Sequence, residues 1–128
     1  MGATEGKAAM DVVNLSAKFA QFDELWSPKV IASLNGQLVK VAKLRGDFIW
    51  HRHEHQDELF LVVRGRLRID LRDRALELGE GDLAVVPAGV EHRPVASEEA
   101  WVMLLEPAGT LNTGDVRNER TVDQLEWI

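Results

Sequence analysis

Three of the four histidines in this 128-residue chain, His51, His53 and His55, fall within the run WHRHEHQDE, and the fourth is His92. The chain has no cysteine, which excludes disulfides, thiolate zinc sites, iron–sulfur clusters and cysteine nucleophiles. Any metal must be held by nitrogen and oxygen. On an extended strand His51 and His53 project to one face, because side chains alternate with period two, and two imidazoles can then meet one ion. Glu58 opens the apolar run ELFLVV and shares its parity with Phe60 and Val62. A turn over residues 54–57 could fold that run back, so that Glu58 approaches the two histidines. His92 follows the turn sequence Pro87-Ala88-Gly89 and would complete a set of three nitrogens and one oxygen. Such a set suits Mn, Fe, Co, Ni or Zn, and leaves positions for water or substrate if the ion is five- or six-coordinate. The competing reading is a polar hairpin that carries surface histidines.

The elements that must position these groups are short. Residues 1–12 read as a loose tail, and residues 13–128 as one domain of a size that a single core can serve. From Asn14 to Leu25, the residues Leu15, Phe19, Phe22 and Leu25 recur at helical spacing, which predicts a short helix capped by Asn14 or Ser16. Beyond Pro28 the pattern changes. KVIASLN and QLVKVAKL flank Asn35-Gly36, a dipeptide suited to the positive-φ positions of a type I′ turn, and this predicts a hairpin. Further strands are predicted over 47–53, 58–64, 66–71, 75–78, 83–86, 91–96 and 100–105, with Ser97 to Glu99 as one of the separating turns. RLRIDL alternates strictly, so one of its faces is wet, whereas LFLVV (59–63) and LAVV (83–86) are apolar on both faces. Strands of the latter kind need a covering sheet or a second copy. After Glu106-Pro107 a loop leads to TVDQLEWI, where Trp127 is expected to anchor the end of the chain. Many short strands at close spacing predict an all-β sandwich or closed barrel with a short N-terminal helix.

Bulk composition excludes several classes of function. With 45% hydrophobic and 28% charged residues the chain has the make-up of a folded globular protein. A formal charge of -6 argues against a surface that neutralises phosphate backbones, so nucleic acid is not an expected partner. No run approaches the roughly 20 apolar residues of a membrane span, and residues 1–10 lack the apolar core of a signal peptide. A cytoplasmic setting with no membrane partner is the expectation.

At the residues quoted above the chain resembles the cupin superfamily, whose two motifs read G(x)5HxH(x)3-4E(x)6G and G(x)5PxG(x)2H(x)3N. The first falls on Gly46, His51, His53, Glu58 and Gly65, within 46–65, and the second on Gly81, Pro87, Gly89 and His92, within 81–96. There are two departures. Four residues rather than five separate Gly46 from His51, and Ala96 stands where the family pattern has asparagine. The first shifts a turn; the second removes a polar group outside the ligand set. The resemblance implies a jelly-roll-like double-stranded β-helix in which His51, His53, Glu58 and His92 hold one divalent transition-metal ion. It also sets His55 aside, because an HxH pair at 53 and 55 would leave only two residues before Glu58. His55 then reads as a turn residue near the mouth and Asp57 as an exposed turn residue. Glu91 and Arg93 read as surface charges, and Trp26, Trp50 and Trp101 as packing residues.

Ile49, Phe60, Val62, Val102 and Leu104 are expected to line a small apolar pocket beside the ion, suited to a compact anion or carbonyl compound. No second inward base stands out, which leaves Glu58 or a water to handle protons as the catalytic group. Lys43 and Arg45 are the nominees for a phosphate contact. Related cupins are iron dioxygenases, manganese decarboxylases and oxidases, and zinc sugar-phosphate isomerases; short single-domain members are often labelled mannose-6-phosphate-isomerase-like. The resemblance therefore implies a metal-dependent enzyme acting on a small organic acid or carbonyl compound, of dioxygenase, decarboxylase or isomerase type. The alternative is a non-catalytic cupin that binds or senses a small molecule. Homodimers are common in the family, so a second copy of the chain is the expected macromolecular partner.

Overall fold

Asn14 starts the first element as predicted: its side chain accepts a hydrogen bond from the Ala17 amide at 2.8 Å and caps α1 (Leu15–Phe19). The computed structural model describes residues 10–128, so positions 1–9 of the expected 1–12 tail lie outside the described residues. The helix stops six residues short of Leu25. Phe19 and Phe22 are both buried, with ring centroids 6.0 Å apart, and the chain reaches that packing by turning after Phe19. Leu25 leaves the helical stripe altogether and bridges to Lys43. So short a helix is held by tertiary packing and not by its own propensity.

Strands make up the rest of the regular structure among the described residues. They are β1 (Lys29–Leu34), β2 (Gln37–Asp47), β3 (Glu58–Arg64), β4 (Leu67–Leu71), β5 (Ala75–Leu78), β6 (Leu83–Val86), β7 (His92–Pro107) and β8 (Glu126–Trp127). Asn35 and Gly36 have φ of 50° and 77°, the geometry that the β1–β2 hairpin turn requires. The sheet runs β5-β4-β7-β2-β1-β8, with β3 also on β7 and β6 on β3 alone. Trp127 anchors the chain end by parallel pairing with Val30.

β7 organises the molecule. Its 16 residues were expected as two strands split by Ser97 to Glu99, but they form one. β2 follows one edge of it from Gln37↔Pro107 to Asp47↔Val95. The opposite edge is shared: β3 takes the C-terminal half, from Leu59↔Leu105 to Arg64↔Trp101, and β4 takes the N-terminal end, from Arg68↔Val95 to Leu71↔His92. The polar triplet is absorbed as a bulge. Between Leu44↔Ala100 and Gly46↔Ala96 the register shifts, and Ser97, Glu98 and Glu99 stand out into solvent without ending the strand. The corner between β3 and β4 passes tightly over this bulge at Gly65, which has φ 87° and whose added Cβ would lie 3.0 Å from the Glu99 carbonyl.

Two apolar clusters sit on the two sides of the β2–β7 ladder. Ala42, Leu44, Phe60, Val62, Ile69, Val102 and Leu104 belong to the interior. Phe19, Phe22, Ile31 and Val41 form a smaller outer cluster, to which Trp101, Met103 and Ile128 add partly buried area. No helix among the described residues is long and apolar enough to cross a membrane.

Candidate metal centre

The predicted strand over 47–53 does not form; β2 ends at Asp47. The chain instead follows the start of β7 by isolated pairings. Phe48 donates its amide to the Pro94 carbonyl at 2.9 Å, and His51 and His92 exchange amide bonds of 3.0 and 2.9 Å. His53 is tied through its carbonyl, which accepts from Gly89 at 2.8 Å. Glu58 opens β3 opposite Val86 of β6. One point thus receives side chains from the loop after β2, from β3 and from β7.

His51, His53, Glu58 and His92 are all buried, and one ligand atom from each lies within 4.8 Å of every other. The ring orientations are set from behind. Nδ1 of His51 lies 2.9 Å from the Ile49 carbonyl and Nδ1 of His92 lies 2.9 Å from the Val90 carbonyl. A carbonyl only accepts, so each Nδ1 carries a proton, and the neutral ring presents a lone pair at Nε2. His92 Nε2 then faces Glu58 Oε1 at 3.3 Å. His53 Nε2 is 3.2 Å from the same oxygen, off hydrogen-bond geometry, and is a buried nitrogen with no hydrogen-bond partner among the described residues. Acceptors that converge without a proton between them repel one another, and a divalent cation at their centre would turn each repulsion into a bond. By donor chemistry the residues fit a borderline transition metal better than Mg or Ca, which favour all-oxygen sets.

Burial, and after it the neighbouring His92, lowers the His51 imidazole from its ordinary 6.5 to about 4. Burial pushes the Glu58 carboxyl up, but the His53 and His92 rings, once they carry a second proton in place of an ion, and a hydrogen bond with Glu106 outweigh it and hold Glu58 well below the usual carboxylate range. Glu106 shifts the other way. Burial and then the charge on Glu58 push it well above that range, against the pull of Lys40. Of this carboxyl pair, Glu106 is the one that burial and its neighbour push toward the protonated form.

Glu106 and Lys40 are the residues that the sequence reading missed. They are 1% exposed each, their Nζ–Oε2 distance is 3.2 Å, and both line a cavity beside His51 and Glu58. The expectation that no second inward base stands beside Glu58 is thereby corrected, since the Glu106 carboxyl lines the same cavity. Parity was the available signal: Lys40 shares the parity of the inward Ala42 and Leu44, and Glu106 that of Val102 and Leu104. The cavity, about 40 Å³, has room for roughly three water-sized positions. Trp26, Phe48, Phe60, Leu104 and Asn112 complete much of its wall. Of the expected lining, Phe60 and Leu104 are present, Val62 and Val102 lie in the surrounding core, and Ile49 contributes its carbonyl to His51.

Lys43 and Arg45 do not face the cavity. Lys43 has the opposite parity and donates to the Phe22 carbonyl at 2.7 Å in the outer cluster, while Arg45 is exposed. His55 is exposed on a separate groove, and Asp57 accepts from the Ala88 amide at 2.8 Å. Glu91 and Arg93 pair with Arg72 and Asp70 at 2.9 Å each. Trp50 is half-buried beneath the Arg72 guanidinium, 3.8 Å from its ring centroid, and Trp26 stacks on Phe48 at 4.7 Å. A strap beyond β7 closes over the histidine loop: Arg52, between His51 and His53, exchanges hydrogen bonds of 3.0 and 2.9 Å with Asp115.

Known proteins share this arrangement of strands. A cupin-2 domain containing protein from Shewanella frigidimarina NCIMB 400 is 45% identical, with a TM-score of 0.74 and coverage of 75% of this chain and 94% of that one. Protein NMB1881 from Neisseria meningitidis is 32% identical, with a TM-score of 0.70 and coverage of 77% and 100%. Uncharacterized protein YdbB of Bacillus subtilis (strain 168) is 38% identical over 64 residues, 49% of this chain and 57% of the relative. The chain thus matches little more than half the length of that curated relative. The profile of the family described as Cupin domain matches residues 37–106, from the start of β2 to Glu106 near the end of β7. Because that match takes in more than half of the 128 residues and the fold agrees with it, the chain belongs to the cupin family.

Proposed function

We propose that this cupin holds one divalent transition-metal ion on His51, His53, Glu58 and His92 and is a metal-dependent enzyme for a compact organic acid or carbonyl compound. The observation that carries the reading is the convergence of buried acceptors, with His53 Nε2 left without a partner. An ion bound there would supply Lewis acidity to a chelating ligand. Only His51 and Glu58 of the four border the cavity, so the approach for a ligand lies on their side. Phe48, Phe60 and Leu104 exclude water from that approach, and Glu58, with the raised carboxyl of Glu106 beside it, would exchange a proton with the ligand. The outward row Leu83 and Val85 on β6, 59% and 49% exposed, supports a homodimer formed over that edge.

One observation favours the second reading, a sensor without turnover. The cavity is narrow and is edged by Asn112 of the same strap that Asp115 clamps to Arg52. A ligand that displaced the strap would change the molecular surface without being transformed. Metal analysis of protein purified without chelator tests the common part: one equivalent is expected, lost in His51→Ala and His92→Ala. A screen of small acids with and without oxygen separates the two readings, since the enzyme turns one over and the sensor gives only a thermal shift. Failure to bind any of Mn, Fe, Co, Ni or Zn would sink both.

A further inference from the structure

The buried Lys40 ammonium has three N–H donors, and among the described residues it makes a single hydrogen bond, the 3.2 Å contact to Glu106 Oε2. It is 1% exposed, so water at the surface does not satisfy the others, and it borders the cavity that also touches His51 and Glu58. A buried pair of this kind is a poor source of stability, because desolvating the Lys40 charge offsets what its bond to Glu106 contributes. A charged donor left short of partners inside a ligand-sized space has a different use.

We propose that Lys40, oriented by Glu106, is the second anchor of the ligand site, receiving the carboxylate of a small monoanionic acid whose other end reaches the metal position. The inference rests on the metal-binding reading above. Charge counting supports it. With a divalent ion, Glu58 ionised and Lys40 charged, the buried cluster carries +2 when Glu106 is neutral and +1 when it is ionised. Without the ion the same sums are 0 and -1. A low-dielectric cavity of net positive charge favours an anion, and one without the ion does not. Carboxylate and metal should therefore bind with positive coupling, each raising the affinity of the other. The cavity volume of about 40 Å³ limits the part of the ligand seated there to a few heavy atoms.

The test uses the whole chain loaded with Zn or Mn, formate as the probe and formamide as its neutral counterpart, with binding read by calorimetry. Formate is expected to bind the loaded protein, to bind the metal-free protein at least about tenfold more weakly, and to outcompete formamide. Lys40→Met should weaken formate by at least about tenfold while leaving metal content at one equivalent, consistent with loss of a charge-assisted hydrogen bond. Because Lys40→Met leaves Glu106 buried without its cation, the double variant Lys40→Met/Glu106→Leu is measured beside it; it should fold, hold metal and lose formate selectivity. Equal formate affinity in wild-type and folded, metal-loaded variants would overturn the Lys40 assignment and leave the metal reading standing. A loaded wild-type protein that binds no carboxylate would overturn it too. A wild-type protein that takes up no metal would instead defeat the reading on which it rests.

Discussion

Lys40 and Lys43 lie three residues apart on β2, both are buried, and they are held in opposite ways. Three is odd, so the two side chains leave opposite faces of the strand. Lys43 enters the outer cluster, where its ammonium donates to the Phe22 carbonyl at 2.7 Å and sits 5.1 and 4.8 Å from the Phe22 and Trp101 ring centroids. Its partners are all parts of the fold. Lys40 enters the interior, where Glu106 is its one hydrogen-bond partner among the described residues and the remaining space is cavity. The outer lysine is a structural rivet, whereas the inner one has unfilled donors beside a metal-type cluster. Burial of a charge alone does not mark a site; burial with an incomplete set of partners does.

The comparison can be broken first at the metal cluster. His92→Ala is expected to weaken metal binding by more than about a hundredfold, since even outer-shell partners of such ligands are worth 10- to 100-fold. Competition with a calibrated chelator measures this, and wild-type affinity in the variant would contradict the ligand assignment. The next effect is on pH. The His51 ring titrates at 6.5 when unfolded and about 4 when folded, so between those values the unfolded chain binds more protons. Stability of the metal-free protein should fall as pH drops through that window, by about 3 kcal/mol at its acid end. Urea unfolding from pH 7 to 4 checks the sign; stability that stays level down to pH 4.5 would rule it out.

On the outer face, Lys43→Ala is expected to cost about 2–3 kcal/mol, from a charged hydrogen bond and two cation–π contacts, with metal affinity unchanged. Lys40→Met/Glu106→Leu should instead change stability by about 1 kcal/mol or less, or raise it. Denaturant unfolding of the two variants side by side sharpens the contrast, and equal losses would erase it. Gly114→Ala probes the strap. Gly114 has φ 59°, and an added Cβ would run into the Arg52 carbonyl between two of the clustered histidines. A local cost of about 1–2 kcal/mol and faster metal release to chelator are expected. His55→Ala should have the smallest effect, within about 0.5 kcal/mol in stability, because its side chain is exposed outside the cluster.

Much of the cluster was legible before any fold was known. Imidazoles and carboxylates have few common uses at such spacing, and the turn residues Asn35-Gly36, Pro87 and Gly89 punctuate the strands between them. The local backbone was less legible. The period-two argument placed His51 and His53 on one strand face, yet they lie in a loop that pairs with β7 one residue at a time. They converge because His51 and His92 exchange backbone bonds, an outcome of long-range pairing. Ser97 to Glu99 read as a turn because their polarity is that of a loop; a strand shared by three partners accommodates them as a bulge. Glu106 and Lys40 were passed over for a related reason. A charge in an apolar alternation usually marks the wet face, and only the ladder between β2 and β7 reveals that this one is dry.

Residue chemistry and spacing by themselves determined the type of site: nitrogen and oxygen ligands, no thiolate, a strand-rich frame and a compact ligand space. Tertiary structure alone decided which lysine faces that space, which carboxyl of the Glu58–Glu106 pair is pushed up and how the strap closes over Arg52. The first set depends on side-chain identity and local geometry, which the chain carries at every step. The second depends on distances and dielectric between residues up to 66 positions apart, and these exist only once the sheet has folded.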